Sequence, residues 1–211
     1  ARQIARALDV GGADYILKPC NDLELRARVR VAMRTKQMID LLKVQARVDA
    51  LTGLKNRVAL DDALNAAIAA YDRLGQPTSL LMMDLDRFKE VNDRHGHGVG
   101  DQLLQRVGAV ISARHRPYDV ACRFGGDEFA VVYARCELLD AERAARRLLS
   151  GIKEIVVMAG AHPVTATASG GLVSITEMAP GAGATELLKA ADAALYRAKC
   201  GGRDRLEVGP D

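Results

Sequence analysis

Tryptophan is absent from the sequence, and aromatic residues of all kinds make up only 4% of its 211 residues. Few side chains are therefore available to stack on the bases of a single strand. Charge does not compensate for this, because 30 basic and 27 acidic residues leave a net charge of only +3. The composition argues against nucleic acid as a partner.

Long apolar runs are also missing. No stretch approaches the roughly 20 residues that cross a bilayer, and no charged-then-apolar leader opens the chain. The four cysteines are widely spaced and form no C-x-x-C pair, which speaks against a zinc site or a disulfide framework. We expect a soluble protein without membrane contact, suited to a reducing cytoplasm.

The most informative segment spans residues 116–129, RPYDVACRFGGDEF, and is followed by apolar residues. It predicts two strands joined by a tight Gly-Gly turn that presents the carboxylates of Asp127 and Glu128. Glycine tolerates the positive φ of such a turn. Because adjacent residues of a strand leave opposite faces, we expect only one of these carboxylates to point at a given ligand.

This hairpin resembles the signature of the GGDEF family, the diguanylate cyclases of bacteria. Four further blocks resemble motifs of that family in the same order, at residues 49–57, 84–93, 95–101 and 198–203. Five ordered matches make coincidence very improbable. The resemblance implies an enzyme that condenses two GTP into cyclic di-GMP and releases pyrophosphate in the cytoplasm.

Apolar spacing predicts an alternation of helices and strands around the hairpin. The predicted helices span 57–74, 100–115, 137–158 and 185–199, the last capped by Thr185, and the predicted strands span 79–84, 164–175 and 205–208. We expect an α+β, ferredoxin-like β-α-β-β-α-β core, with an antiparallel-rich sheet and helices on one face. The family resemblance implies the same fold.

The first part of the chain differs in organisation from the rest. Residues 1–22 resemble the C-terminal end of a response-regulator receiver domain, in which Lys18 would contact a phosphorylated aspartate. Residues 23–48 contain no Pro or Gly and predict a long helix, and 49–211 would form the catalytic domain. This helix would either pair with a second copy as a signalling stalk or pack on its own receiver remnant. The pairing positions would be Met38, Leu41, Gln45 and Val48.

Paired carboxylates predict a metal site. Asp84 ends an apolar strand and Asp127 lies on the neighbouring hairpin, so both can converge on Mg²⁺ or Mn²⁺, ions that prefer oxygen ligands. The resemblance makes these two residues the metal ligands, with the Leu85 carbonyl as a third, and makes Glu128 essential for turnover. The alternative for Asp84 is a helix N-cap.

Phosphate binding is predicted at two places. Phe88 and Lys89 begin a helix, whose amides and dipole suit a phosphate. Lys199 and Arg203 would add cationic donors, a role that rests on the motif match.

Two further positions concern guanine. By resemblance, Asn92 and Asp101 bind the base of GTP, and an amide with a carboxylate matches its donor and acceptor edges.

Arg116 and Asp119 match the family's RxxD inhibitory site for cyclic di-GMP, where a plain surface salt bridge is the alternative.

Arg143 and Arg147 fall where the family has helper arginines of that site. The resemblance further implies a homodimer, since each site would hold one GTP. A non-enzymatic cyclic di-GMP receptor is the alternative function.

Overall fold

The structure is a computed structural model, and it describes residues 21–209, apart from the side chains of 39–46. The chain divides into two units, one up to Ala46 and one from Arg47 onward. Residues 1–20, which include Lys18 and all but the last two residues of the predicted receiver remnant, lie outside the described residues. None of the helices in the described part is long and apolar enough to cross a membrane.

The N-terminal unit contributes helix α1, Asp22–Ala46. The Asn21 side chain caps it by accepting from the Leu23 N–H at 2.9 Å. The helix ends two residues earlier than predicted, because the Val48 backbone pairs instead with Lys55 in an isolated β-bridge. Val48 is therefore not a helical position of a stalk, whereas Met38 is helical and 61% exposed.

The second unit alternates helices with strands. Its helices are α2 (Arg57–Leu74), α3 (Phe88–His95), α4 (His97–Arg114), α5 (Leu138–Lys153) and α6 (Ala184–Cys200). Its strands are β1 (Thr78–Leu85), β2 (Val120–Gly125), β3 (Glu128–Ala134), β4 (Val157–Ala159), β5 (His162–Val164), β6 (Ala168–Ser174) and β7 (Leu206–Val208), with a 3₁₀ turn at Ile175–Glu177.

Five of these strands form one sheet in the order β2-β3-β1-β6-β7. The central strand β1 is antiparallel to both β3 and β6, and β7 is parallel to β6. This is the predicted mixed, antiparallel-rich sheet. The signature hairpin β2–β3 therefore lies beside the strand that carries Asp84.

Helices cover both faces of this sheet, so the prediction of helices on one face was wrong. Leu81 and Met83 of β1 pack in a core with residues of α4 and α5, while Leu80 and Met82 pack with α2 and α6. Every position of β1 from Thr78 to Met83 is buried, so both faces of this strand are covered by other elements. A strand that is buried on both faces is apolar on both, which explains the continuous apolar run.

Two predicted boundaries differ in the region between α5 and α6. The helix predicted over 137–158 ends at Lys153, and the next residues form the small hairpin β4–β5, whose turn holds Gly160 at φ +64°. Apolar spacing continued past the true end of the helix, so the pattern alone gave no stop. The strand predicted from Val164 begins at Ala168.

The N-cap predicted for α6 at Thr185 was also wrong. The cap position is Gly183, whose N–H donates to the Glu186 carboxylate at 3.0 Å. This side chain takes up the first free amide of the helix, so Thr185 lies inside the first turn.

Helix α6 lies directly on the backbone of β6. A Cβ atom built on Gly171 would stand 2.2 Å from both the Ala191 carbonyl oxygen and the Leu195 nitrogen. Only glycine fits there, and the close approach fixes the depth at which α6 lies on the sheet.

Candidate active site

The signature hairpin turns through Gly126 and Asp127, with Gly126 at φ +52°. The Leu85 N–H donates to the Asp127 carbonyl at 3.2 Å, which holds the turn over the end of β1. Asp127 is thus a turn residue and Glu128 the first residue of β3. The strand alternation expected for this pair applies to Glu128 alone.

Asp84 and Glu128 are direct partners across β1 and β3. Each lies two residues from a neighbour on its strand, Met82 and Ala130, that packs in the α2 and α6 core. Since side chains repeat every second residue, both carboxylates project toward that same face. Together with Asp127 they form what we call the carboxylate cluster.

The carboxylate cluster is electrostatically crowded. Burial raises the pKa of Asp84, an effect opposed by Lys199 and reinforced by the negative charges of Asp127 and Glu128. The Lys199 Nζ lies 3.0 Å from Asp84 Oδ2, and the Asp84 side chain is only 13% exposed. Lys199, predicted to contact phosphate, is therefore held beside the predicted metal ligands.

These oxygen donors fit a hard divalent cation. Mg²⁺ usually takes one or two protein carboxylates and completes its shell with substrate phosphates and water. Within the described residues, no three acidic, histidine or cysteine side chains already form a ligand set of their own. The carboxylate cluster suits a cation that is shared with a nucleotide. The positive charge of this cation would relieve the repulsion between the carboxylates around Asp84.

The segment after α6 borders a crevice that also reaches the residue before α3, and of the four predicted phosphate contacts only Arg203 lines it. Arg87 precedes α3 in a left-handed conformation, and the first intrahelical bond runs from the Glu90 N–H to the Arg87 carbonyl at 2.9 Å, after Phe88 and Lys89. Arg203 and Arg87 both line a crevice of about 940 Å³. The structure thus brings the start of α3 and the segment after α6 together.

Asn92 on α3 lies against the start of α4. Its side-chain Oδ1 is buried without a hydrogen-bond partner. A Cβ on Gly100 would come within 2.0 Å of that oxygen, so the Asn92 side chain keeps this orientation only because residue 100 is glycine. Asp101, the other predicted guanine contact, follows Gly100 and is exposed.

The RxxD segment forms a tight turn rather than the alternative salt bridge. The Asp119 N–H donates to the Arg116 carbonyl at 3.0 Å, and the Arg116 N–H donates to Asp119 Oδ2 at 2.9 Å. In the part of the chain that the structure describes, no ion pair joins the two side chains. Asp119 is 7% exposed, and its Oδ1 is buried without a partner.

The helper arginines lie on α5, with Arg143 3.3 Å from Asp140. Burial raises the pKa of Tyr133, and the Asp119 charge raises it further while Arg147 opposes it. Asp119 and Arg147 therefore both lie near this tyrosine. The structure thus places Arg147 in the surroundings of the RxxD turn. Arg143 instead contacts Asp140.

Sequence reasoning gave no role to Asp49 or to Asp86. Asp49 accepts from the Thr52 N–H and hydroxyl at 2.9 and 2.6 Å and faces Arg123 of the signature hairpin at 3.4 Å. Burial alone would raise the pKa of Asp49, but the bonds from Thr52 and the charge of Arg123 together lower it. The match of residues 49–57 to a family block was the only sequence signal for Asp49. For Asp86, residue spacing did not predict the contacts that the structure shows.

Comparison with known proteins agrees with this geometry. The model of the family described as "Diguanylate cyclase, GGDEF domain" matches residues 46–205. The response regulator PleD of Caulobacter vibrioides is 34% identical over 215 residues, covering 97% of this chain and 46% of that protein. The diguanylate cyclase DgcP of Pseudomonas aeruginosa is 38% identical over 168 residues, covering 78% of this chain and 24% of that protein. The chain thus spans less than half the length of these relatives.

Solved structures give the same result. The GGDEF domain of DgcB from Caulobacter crescentus, in complex with c-di-GMP, superposes with a TM-score of 0.73 at 32% identity, covering 77% of this chain and 93% of that one. The diguanylate cyclase SiaD of Pseudomonas aeruginosa, in complex with its activator SiaC, has a TM-score of 0.73 at 32% identity, covering 88% and 72%. The chain belongs to the GGDEF-domain diguanylate cyclase family.

Proposed function

We propose that the chain condenses two GTP into cyclic di-GMP with release of pyrophosphate and is inhibited by its product at the RxxD turn. The observation that carries the proposal is the carboxylate cluster beside Lys199, with the unpartnered Asn92 oxygen on the adjoining helix. The RxxD turn, with its own unpartnered oxygen on Asp119, supports the inhibitory part.

GTP would lie along α3. Asn92 and Asp101 would take the guanine edge, and the Phe88 and Lys89 amides would take phosphate oxygens with Lys199 and Arg203. A divalent cation, Mg²⁺ or Mn²⁺, held by Asp84, Asp127 and the Leu85 carbonyl would stabilise the negative charge that builds on the α-phosphate.

Each of the two bonds is made by attack of a 3′-hydroxyl on an α-phosphate. A bond between the 3′-oxygen and phosphorus forms, the bond from that phosphorus to the bridging oxygen of pyrophosphate breaks, and the hydroxyl loses its proton. Glu128 lies opposite Asp84 and is the carboxylate we assign to accept that proton. Lys199, 3.0 Å from Asp84, would bring its positive charge to the phosphate oxygens beside that carboxylate.

The decisive measurement is pyrophosphate release from GTP and Mg²⁺, with cyclic di-GMP followed by chromatography. We expect two pyrophosphates per cyclic product, no product from ATP, and loss beyond about 10²-fold in Asp127→Asn, which keeps the shape of the ligand but removes its charge. Binding of cyclic di-GMP without pyrophosphate release would favour the receptor function instead. Near-normal turnover of Asp127→Asn would contradict the metal assignment.

Dimerisation follows from the chemistry, because a single site holds one of the two GTP molecules. The rate per subunit should therefore rise with protein concentration until dimers are saturated. A parallel coiled coil fused in register before Met38 should raise the rate at low concentration. A rate per subunit that is constant throughout the monomer range would contradict the dimer.

Product inhibition is tested separately. Arg116→Ala or Asp119→Ala should relieve inhibition by added cyclic di-GMP by about tenfold or more, because each removes a donor or acceptor for the product. Surface exchange Arg146→Ala on α5 is the matched control, since this arginine pairs with Glu142 at 2.7 Å. Equal inhibition of all four chains would contradict the RxxD assignment.

A further inference from the structure

Asp86 is a buried carboxylate just beyond β1, with only 8% of its surface exposed. Its two oxygens accept three hydrogen bonds. Ser169 Oγ donates to Oδ1 at 2.6 Å, Thr167 Oγ1 donates to Oδ2 at 2.6 Å, and the Asp204 N–H donates to Oδ2 at 3.1 Å. The Asp86 N–H in turn donates to the Thr167 carbonyl at 2.9 Å.

These bonds join parts of the chain that are far apart in sequence. Asp86 is followed by Arg87 and by the first turn of α3, while Asp204 follows Arg203 in the segment after α6. The donor Asp204 is 118 positions away from the acceptor. One carboxylate thus ties the two segments that we assign to phosphate binding.

Both segments are held in a conformation that is unfavourable for residues with a side chain. Arg87 has φ +56°, Arg203 φ +65° and Asp204 φ +48°. Non-glycine residues keep such left-handed backbone only where their surroundings impose it. The bonds to Asp86 supply this constraint for the second segment and fix the residue next to the first.

We infer that Asp86 is a positioning residue, which sets the distance between the start of α3 and Arg203 so that one triphosphate spans both. Both of its oxygens already accept from protein donors, so its effect passes through the backbone at Arg87 and Asp204. The inference rests on the proposed function in placing phosphates on these segments. It goes further in naming the residue that makes the site selective for a triphosphate over a monophosphate.

The test compares binding of 3′-deoxy-GTP, which has no attacking hydroxyl, with binding of GMP, both with Mg²⁺ and the full chain. Asp86→Ala should weaken 3′-deoxy-GTP binding by about tenfold and GMP binding by less than about twofold. Asp86→Asn should restore most of the loss, because the amide oxygen can accept from Thr167 and Asp204 while its N–H₂ donates to Ser169.

Ser169→Ala is the matched control, since it removes one buried bond to the same carboxylate but belongs to neither phosphate segment. Its ratio of triphosphate to monophosphate affinity should equal that of the original chain. Equal losses for the two ligands in Asp86→Ala, no loss for either, or failure of the Asn variant to restore binding would each overturn the inference.

Melting curves of each variant show whether it folds. If Asp86→Ala does not fold, Thr167→Val decides the matter, because it removes at constant shape the hydroxyl that shares Asp86 Oδ2 with the Asp204 N–H, whereas Ser169 donates to the other oxygen. We expect the same selective loss at about threefold, and a parallel or absent loss overturns the inference. An original chain that prefers the triphosphate but makes no cyclic di-GMP would sink the proposed function and leave this inference standing. One without that preference would overturn the inference itself.

Discussion

Asp84 and Asp86 stand two positions apart at the end of one strand, yet their surroundings are opposite. Asp84 faces a lysine and two other carboxylates, and burial with these like charges raises its pKa. Asp86 instead accepts hydrogen bonds from three donors. The first is destabilised until a ligand brings positive charge, and the second is satisfied by the protein alone.

This difference separates binding from positioning. A carboxylate that the fold leaves crowded favours a cation, whereas one that the fold saturates holds other segments in place. Residue type and spacing are the same in both cases. The arrangement of neighbours therefore decides the role.

The largest effect is expected when the Asp84 carboxylate is replaced by a neutral amide. Asp84→Asn should reduce pyrophosphate release by more than about 10²-fold, because a metal ligand loses its charge. The fold should nevertheless gain stability at neutral pH. Because the pKa of Asp84 is raised in the folded state, its ionised carboxylate destabilises the fold at pH values above the ordinary pKa of 3.8. The amide of the variant carries no charge and therefore avoids this destabilisation.

Turnover and thermal melting, at neutral and at acid pH, check this prediction. The stability gain should vanish as the pH falls below the ordinary pKa, where the carboxyl of the original chain is protonated in both states. A variant that is clearly less stable than the original at neutral pH would show that the Lys199 pair outweighs the crowding.

Asp86 should respond in the opposite sense. Asp86→Ala should lower the free energy of unfolding by about 2–4 kcal/mol, because three donors lose their buried acceptor. Ser169→Ala should lower it by only about 1 kcal/mol. Chemical denaturation measures both, and a loss in Asp86→Ala no larger than that in Ser169→Ala would remove the contrast with Asp84.

The guanine position extends the comparison to an amide that the fold leaves unpartnered. Gly100→Ala should weaken GTP binding by about tenfold, because the new methyl would collide with Asn92 Oδ1 and displace it. Asp101→Ala should reduce the preference for GTP over ATP without moving Asn92. Competition between the two nucleotides measures this, and Gly98→Ala, where the structure shows open space, is the control.

The smallest effect is expected at Asp49, whose pKa is lowered rather than raised. Asp49→Asn should lower the free energy of unfolding by about 1 kcal/mol at neutral pH. The amide keeps the shape of the side chain but is attracted less strongly to Arg123 and to the Thr52 donors. A lowered pKa contributes stability above the ordinary value of 3.8, and this is lost as the pH falls through the folded-state pKa. Equal stability of the two chains at neutral pH would contradict the prediction.

Local pattern predicted the hairpin, the helix over Arg57–Leu74 and the strand that carries Asp84, because each is written in neighbouring residues. It failed at the end of α5, where Ile155 and Val157 continue the apolar spacing of a helix that has already ended.

Contacts between distant residues account for most of what the sequence did not predict. The bond from Asp204 to Asp86 and the approach of Lys199 to Asp84 depend on how α6 lies on the sheet. No spacing rule joins positions so far apart. The unpartnered oxygens of Asn92 and Asp119 arise from tertiary packing elsewhere in the fold, which pattern alone does not predict.

Gly171 has a consequence for anyone who scans this protein by mutation. A methyl group there must lift α6 from β6, and the helix is stiff enough to carry that shift two turns onward to Lys199. Activity would then fall at a position that touches neither nucleotide nor metal and carries no functional group. A map of inactivating substitutions will therefore mark the sheet beneath α6 as strongly as the residues proposed to bind GTP, and the two classes will separate only when binding and turnover are scored side by side.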